Sequence, residues 1–294
     1  MSESTIAIIG AGASGIGTAK AFREAGLNFE IIEKTSRFGG NWQPDGAASK
    51  MYRSAHLISS KRNSQFSDFP MPESYPHYPH HSLMYQYLES IADHFELAAS
   101  TRFETKVEQT HQNRNGDWEL AFTDGSSKTY QGLVVCNGLL RRPITPAMAK
   151  DFSGRSLHAA DYRTNTDFEG QTVLVVGGGN SGCDIAVDVA QTAGKVLHST
   201  RRGYHYMPKF ISGKPTQEWL MEQSQYFSTP EEYWEHVCKT FKLAGFDGVD
   251  FGLETPDHHI SEAHPIMNSN ILYAIGHGDI DPKENLERID GSVC

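Results

Sequence analysis

Two short apolar runs near the start of the chain predict a pair of strands joined by a helix. Residues 6–9 (IAII) and 29–32 (FEII) have the length and composition of buried parallel strands. Between them, residues 16–25 carry small and apolar side chains at helical spacing, and Gly26 follows as a helix-ending residue. This part of the chain therefore predicts a strand–helix–strand unit of the α/β class.

The turn between the first strand and the helix is rich in glycine, with the sequence GAGASG. Gly10 permits a tight turn, Gly12 lets the backbone approach a pyrophosphate, and Gly15 lets the helix pack closely on the strand. The unpaired N–H groups at a helix start favour negative charge. Glu33 follows the second strand, where a carboxylate can accept hydrogen bonds from ribose hydroxyls. The pattern predicts a dinucleotide-binding turn.

The same pattern recurs near the middle of the chain. An apolar strand at residues 172–176 leads into the turn GGGNSG at 177–182. A helix is predicted over about 183–193, with Gly194 as its cap, and the next strand covers 195–200. The chain therefore contains two units of the same kind.

The residues after the second strand distinguish the two units. Where the first unit has Glu33, the second has Arg201 and Arg202. An arginine suits the 2′-phosphate of NADP, whereas a carboxylate suits an unmodified ribose. Surface charges without a ligand are the alternative interpretation of the two arginines. The pattern favours FAD at the first turn and NADPH at the second.

Composition and charge narrow the class of protein. The chain has 294 residues, of which 38% are hydrophobic and 21% charged, so one large or two medium folded domains are expected. The net charge of −10 argues against nucleic acid as a partner. The four cysteines form no CxxC pair and indicate reduced thiols in a cytoplasmic protein. A signal peptide and an apolar run of ~18 residues are both absent, so no membrane segment is expected.

Four further motifs resemble those of flavin-containing monooxygenases, the class B flavoprotein oxygenases. GGNW at residues 39–42 follows Glu33, SDFPMP lies at 67–72, and residues 134–138 are similar to the strand and turn that end the family's first FAD segment. FSGRSLHAADY at residues 152–162 matches the family signature FxGxxxHxxxY and is the most specific of the four. Because this string ends in tyrosine, it favours the amine and sulfide oxygenases over the related Baeyer–Villiger enzymes.

The resemblance implies a fold of two nested Rossmann-like dinucleotide-binding domains, the FAD/NADP-binding fold. Residues 1–165 would form the main part of the FAD domain and 166–264 the NADP domain. Residues 265–294 would return to the FAD domain. Family members continue beyond this point, so the resemblance is to a C-terminally truncated member with an incomplete return segment.

The resemblance also implies a reaction. NADPH reduces FAD, the reduced flavin forms a C4a-hydroperoxyflavin with O2, and one oxygen atom passes to a small amine or sulfide. The flavin carries this chemistry, so no catalytic side chain and no metal are predicted. His158 of the signature is expected to have a structural role, and Phe152 and Tyr162 to pack in the core or linker. A homodimer is a possible assembly.

The predicted cofactor-binding residues combine both turns with the family motifs. They are Gly10, Gly12, Ala13, Ser14, Gly15, Glu33, Gly40, Asn41, Trp42, Ser59, Val107, Gly177, Gly179, Asn180, Ser181, Gly182, Cys183, Asp184, Arg201 and Arg202. One position departs from the family, since Ile58 stands where an asparagine is usual, and Ser60 or Asn63 could replace that asparagine.

Two other functions remain open at this stage. A flavin-dependent NADPH reductase would pass electrons to an acceptor without oxygenation, although the absence of CxxC counts against a disulfide reductase. A non-catalytic remnant would bind NADPH and hold FAD weakly. Elsewhere, residues 82–97 predict an amphipathic helix and 219–241 predict helices inserted in the NADP domain.

Overall fold

The computed structural model describes residues 5–44, 46, 49–140 and 142–291. Its strands are β1 Ile6–Ile9, β2 Phe29–Ile32, β3 Thr101–Arg102, β4 Val107–Gln112, β5 Trp118–Phe122, β6 Ser127–Tyr130, β7 Gly132–Val135, β8 Thr172–Val176, β9 Lys195–Ser199, β10 Phe210–Ile211, β11 Lys214–Pro215 and β12 Ile280–Lys283. Its α-helices are α1 Ala13–Glu24, α2 Lys61–Ser64, α3 His81–His94, α4 Asn180–Val189, α5 Thr216–Gln223, α6 Pro230–Leu243 and α7 Asn270–His277.

The chain divides into two compact units. The first comprises Met1–Met51, Ser67–Met71 and Pro79–Arg142, and the second comprises Tyr52–Phe66, Pro72–Tyr78 and Pro143–Cys294. The division at residue 142 comes before the border predicted near residue 165, because Leu157 and Tyr162 pack into the core of the second unit. Which cofactor each unit binds remains a prediction.

The first unit contains a parallel sheet with the strand order β3-β2-β1-β7. β1 is central and pairs in parallel with both β2 and β7, so that Ile8 lies between Ile31 and Val134. An antiparallel sheet of order β4-β5-β6 accompanies it, and the side chains of Leu120, Phe122 and Tyr130 join those of Ala7 and Ile32 in one buried cluster.

The second unit contains a parallel sheet with the order β12-β9-β8. Helix α4 packs its buried Cys183, Ile185, Ala186 and Val189 into the core of this unit. The segment from residue 265, which was expected to return to the first domain, belongs to the second unit as far as Gly291. It does so because Ile271, Leu272 and Ile280 are buried in the same core, and β12 pairs with β9.

The predicted elements are largely confirmed. The strands at 6–9, 29–32 and 172–176 have the predicted bounds, and helices cover most of 82–97 and 219–241. The prediction that Gly194 caps the helix of the second unit is wrong. Helix α4 ends at Val189, and Gly194 instead lies against the Gly170 carbonyl, where a Cβ atom would come within 2.7 Å of the oxygen. Within the described ranges, no helix combines the length and hydropathy that a membrane crossing requires.

Candidate functional site

The first glycine turn connects β1 to α1 and leaves room only for glycine at two positions. Gly10 has φ of 103°, and a Cβ atom there would lie 2.5 Å from the Cys136 carbonyl oxygen. A Cβ atom on Gly15 would lie 1.8 Å from the Gly10 carbonyl oxygen. Helix α1 starts at Ala13, three residues earlier than predicted, with Gly12 at its N-cap and no side-chain cap among the described residues. Its first N–H groups are therefore available to an anion.

The GGNW motif lies directly against this turn. The Gly39 N–H donates to the Ala11 carbonyl at 2.9 Å, and a Cβ atom on Gly40 would come within 2.8 Å of the Gly12 Cα atom. The Asn41 Oδ1 accepts a hydrogen bond from the Lys50 N–H at 2.9 Å. Trp42 completes the same short 3₁₀ turn, Gly40–Trp42. The structure thus brings the motif and the first turn together.

Glu33 is only 5% exposed and reaches the glycine turn. Its Oε2 accepts a hydrogen bond from the Ala11 N–H at 2.8 Å. Its Oε1 accepts from the Thr35 N–H and the Thr35 hydroxyl, both at 2.9 Å. A carboxylate oxygen can accept about two hydrogen bonds, so Oε2 keeps one acceptor position for a ribose hydroxyl.

Two residues of the predicted set do not join this turn. Ser59 belongs to the second unit, where its hydroxyl lies 2.7 Å from that of Ser64. Val107 begins β4 and packs beside the buried cluster of the first unit. Neither contact indicates a cofactor, and their assignment stays a prediction.

The loop that carries the family departure lies in the second unit. Ile58 is 41% exposed, and its carbonyl accepts a hydrogen bond from the Gln217 side chain at 2.9 Å. Of the two proposed replacements for the missing asparagine, Ser60 is fully buried and bonded to Gln217 and Glu218, whereas Asn63 is exposed in α2. Ser60 therefore holds the loop on α5.

The second glycine turn repeats the first in detail. Gly177 has φ of 122°, and a Cβ atom on Gly182 would lie 1.9 Å from the Gly177 carbonyl oxygen. Helix α4 starts at Asn180 with Gly179 at its N-cap, again without a side-chain cap among the described residues. Ser181 is exposed, as is Ser14 in the first turn. Both turns therefore present free N–H groups at a helix start.

The residues packed on the two turns differ. The ring of Tyr204 covers the second turn so closely that a Cβ atom on Gly178 would lie 2.2 Å from it. In the first turn, the backbone of Gly40 lies against Gly12. An aromatic face thus stands beside the second turn, and glycine backbone beside the first.

The backbone register corrects the position of the arginines. Gly10 donates to the Ile32 carbonyl and Gly177 to the Ser199 carbonyl, both at 2.9 Å. The residue that corresponds to Glu33 is therefore Thr200, and Arg201 lies one position later. The sequence alone did not indicate this shift, because β9 is one residue longer than β2.

The two arginines still provide cationic groups with unused donors. Arg201 is exposed and forms no ion pair within the described part of the chain. The guanidinium of Arg202 lies 5.6 Å from the Tyr204 ring centroid and 3.7 Å from Asp257. The buried Nε of Arg202 has no hydrogen-bond partner among the residues described. Such a pair fits a phosphate group, which accepts several hydrogen bonds from guanidinium.

The remaining predicted residues of α4 hold the helix in place. Asn180 Oδ1 accepts a hydrogen bond from the Met267 N–H at 2.8 Å. Burial raises the pKa of the Cys183 thiol to about 12, so this cysteine is a packing residue and not a nucleophile. Asp184 accepts hydrogen bonds from the Tyr52 hydroxyl at 2.8 Å and the Asn268 amide at 2.5 Å.

The eleven-residue signature is a structural brace for the same helix. His158 Nδ1 accepts a hydrogen bond from the Ala160 N–H at 3.0 Å and caps the 3₁₀ turn Ala159–Asp161, as its expected structural role requires. Tyr162 is 2% exposed, and its hydroxyl donates to Asp188 Oδ2 at 2.5 Å. Asp188 is a functional residue that was not predicted, although Asp184 and Asp188 are one helical turn apart and so lie on one face of α4.

A metal centre finds no support in the described ranges, where no group of three His, Cys, Asp or Glu side chains is arranged to hold an ion. Apart from Ser59 and Val107, the predicted site residues lie in or beside the two glycine turns, each turn within its own unit.

Comparisons with known proteins agree with this arrangement. A family model described as flavin-binding monooxygenase-like matches residues 3–293. Flavin-containing monooxygenase 5 of Oryctolagus cuniculus is 32% identical over 306 residues, which cover 98% of this chain and 57% of that protein. The chain thus spans somewhat over half the length of this curated relative.

Solved structures show the same fold. S-allyl-L-cysteine S-oxygenase from Allium sativum has 27% identity and a TM-score of 0.62, over 72% of this chain and 54% of that one. OTEMO in complex with FAD and NADP has 18% identity and a TM-score of 0.73, over 99% of this chain and 69% of that one. The expected family and the expected pair of Rossmann-like domains are confirmed, and the chain belongs to the flavin-binding monooxygenase-like family.

Proposed function

We propose that this chain binds FAD at the Gly10 turn and NADPH at the Gly177 turn, and that it is a monooxygenase of small amines or sulfides. One observation carries the proposal. Two turns of the same geometry are followed by groups of opposite charge, the buried Glu33 carboxylate in one and the Arg201–Arg202 pair in the other. A carboxylate suits ribose hydroxyls, and arginine suits a 2′-phosphate.

The residues of the first unit fit FAD. The free N–H groups at the start of α1 would bind the pyrophosphate, and Glu33 Oε2 would accept a ribose hydroxyl. The close contact of Gly12 with Gly40 leaves backbone, not side chains, along the cofactor's path. Bound FAD would supply the redox chemistry and the reaction with O2.

The residues of the second unit fit NADPH. The start of α4 would bind its pyrophosphate, and the exposed Arg201 with the partly exposed guanidinium of Arg202 would bind its 2′-phosphate. Tyr204 is placed beside both the turn and Arg202, where an aromatic ring can stack on a base.

The comparisons support the chemistry. The OTEMO structure holds both FAD and NADP, and the Allium sativum relative is an S-oxygenase. The family relatives are named monooxygenases. We extend these properties to this chain, with O2 and a soft nitrogen or sulfur nucleophile as its substrates. A cytoplasmic location is part of the same proposal and is supported by the free thiols of Cys136, Cys183 and Cys238. A homodimer remains a prediction.

The test uses the purified chain loaded with FAD. We expect flavin absorption bands, NADPH oxidation under air, and an oxygenated product from trimethylamine or a thioether such as thioanisole, detected by mass spectrometry. NADPH oxidation with an added electron acceptor and no oxygenated product would show a reductase. A chain without flavin bands after loading would be a non-catalytic remnant, and either result would contradict the proposal.

A further inference from the structure

The second unit contains a cavity of about 550 Å³ beside helix α4, away from the residues assigned to the 2′-phosphate. A volume of about 300–1,000 Å³ is typical of small-molecule sites. Five segments of the chain line the cavity, including one face of α4 and the start of α7. The proposed contacts of NADPH with the start of α4 and with the two arginines do not use this space, although Asp184, which lines it, is also one of the predicted cofactor-binding residues.

One part of the lining is acidic. Asp184 and Asp188 lie one turn apart on α4, and neither has a Lys, Arg or His nitrogen within 4.0 Å in the described part of the chain. The hydrogen-bond partners of the Asp184 carboxylate are a tyrosine and an asparagine, both uncharged. Neither carboxylate is therefore in an ion pair, although Lys209 lies near enough to Asp184 for their charges to interact.

Asp188 is the more informative of the two carboxylates. It is 7% exposed, and only its Oδ2 is bonded, to the Tyr162 hydroxyl. Its Oδ1 has no hydrogen-bond partner among the described residues. This oxygen is not fully enclosed by protein atoms, so a ligand ammonium group in the cavity can reach it and bind it.

Another part of the lining is basic. Lys209 lines the cavity, and its ammonium group has no carboxylate oxygen within 4.0 Å in the structure as described. Burial lowers the pKa of Lys209, and the charge of Asp184 opposes this effect. Ser269 and Asn270, at the N-terminus of α7, also line the cavity. The Ser269 side chain does not cap that helix, although the Asn268 Oδ1 accepts a hydrogen bond from the Ile271 N–H at 3.2 Å. Both features favour a negative ligand group.

We propose that this cavity binds a zwitterion of the α-amino-acid class, with its ammonium group at Asp184 and Asp188 and its carboxylate at Lys209 and the start of α7. A simple cation would leave the Lys209 ammonium group without an ion pair, and a simple anion would leave both carboxylates without one. Phe210, Phe246 and Tyr273 also line the cavity and suit an apolar amino-acid side chain. The inference goes beyond the proposed function, because it requires neither FAD nor NADPH.

Isothermal titration calorimetry with matched ligands tests the pairing of charges. L-Phenylalanine and L-methionine are the probes, 2-phenylethylamine lacks the carboxylate, and 3-phenylpropionate lacks the amine. We expect at least one of the two amino acids to bind with a dissociation constant in the millimolar range or below. The amine and the carboxylate analogue should each bind at least about tenfold more weakly than that amino acid, since each lacks one charged hydrogen-bonding group. The amino acids are tested up to about 10 mM, which covers weak ligands. If neither amino acid binds, or if either analogue binds as tightly as the amino acid, the proposal is overturned.

Variants locate the binding in this cavity. Asp188→Asn and Lys209→Met should each weaken amino-acid binding by about tenfold, whereas Lys195→Met, at an exposed lysine outside the cavity, should leave it unchanged. Lys209→Met keeps the test valid if Asp188→Asn does not fold. Unchanged amino-acid affinity in Lys209→Met would overturn the proposal. NADPH affinity, measured on the same variants, should not change, so a failure here is distinguishable from a failure of the proposed function.

Discussion

The two glycine turns have the same backbone geometry, yet their surroundings differ in charge and in packing. In both, the first glycine has a positive φ and the last glycine touches the carbonyl of the first. The first turn is followed by a buried carboxylate and packed by Gly40, and the second is followed by two arginines and packed by the Tyr204 ring. Under the proposed function, the shared geometry would bind pyrophosphate at both turns, and the different surroundings would select the nucleotide.

The sheets behind the two turns also differ. β1 lies between β2 and β7, and both Ala7 and Ile8 are fully buried. β8 pairs only with β9 in the part of the chain that is described, and Val176 is 52% exposed. The turn geometry is therefore maintained by local contacts and by the neighbouring strand on one side.

The largest expected effect is a loss of stability when the last glycine of either turn gains a side chain. Gly15→Ala and Gly182→Ala place Cβ within 2 Å of a backbone oxygen, at 1.8 Å and 1.9 Å. Backbone cannot move away cheaply, so each variant should lose about 3 kcal/mol of unfolding free energy or more. Urea denaturation measures this loss.

Matched controls exist within the same turns. Gly12→Ala meets its nearest atom at 3.6 Å, and Gly179→Ala has no atom within 4 Å. Both should change stability little. Equal destabilisation by controls and test variants would show that the two turns are not defined by this contact.

A smaller effect is expected for the brace of helix α4. Tyr162→Phe removes the hydroxyl that donates to the buried Asp188, which should cost about 1–3 kcal/mol. Tyr273→Phe, at a tyrosine that is 53% exposed, is the control and should be near neutral. Thermal denaturation compares the two, and a neutral Tyr162→Phe would remove the signature from the structural account.

The smallest effect concerns pH and distinguishes the strands that follow the two turns. His198 in β9 corresponds in register to Ile31 in β2, and both are buried. Burial lowers the pKa of His198, and its contact with the Gly177 carbonyl at 2.9 Å opposes the shift only in part. The folded state therefore resists protonation. The resulting stability is present above about pH 6.5, the unfolded value, and is lost as the pH falls towards the lower pKa of the folded state.

This dependence can be removed by substitution. His198→Gln should reduce the loss of thermal stability between pH 7.5 and pH 5.5 (conditions about one unit either side of the ordinary histidine pKa). His111→Gln, at an exposed histidine of β4, should leave the loss unchanged. An unaltered pH profile in His198→Gln would place the pH sensitivity elsewhere.

Local patterns were the predictable part of this molecule. The strands before both turns could be located because they are short apolar runs that end at a glycine. The turns could be located because glycine is sterically required at specific positions of a dinucleotide-binding turn. The position of Arg201 relative to Glu33 could not be obtained, since it depends on the length of β9. The contacts of Tyr52 and Tyr162 with α4 join segments far apart in the chain, and no local pattern reports them.

The most direct test of the central claim is the ratio of NADPH to NADH dissociation constants in the wild-type chain and in Arg201→Ala. The account predicts that the wild-type chain prefers NADPH by about tenfold or more, because a charged hydrogen bond to the 2′-phosphate contributes about 1.5–3 kcal/mol. Arg201→Ala should lose this preference while its NADH affinity stays the same. Equal affinity of the wild-type chain for both nucleotides, or an unchanged preference in Arg201→Ala, would contradict the assignment of the second turn to NADPH.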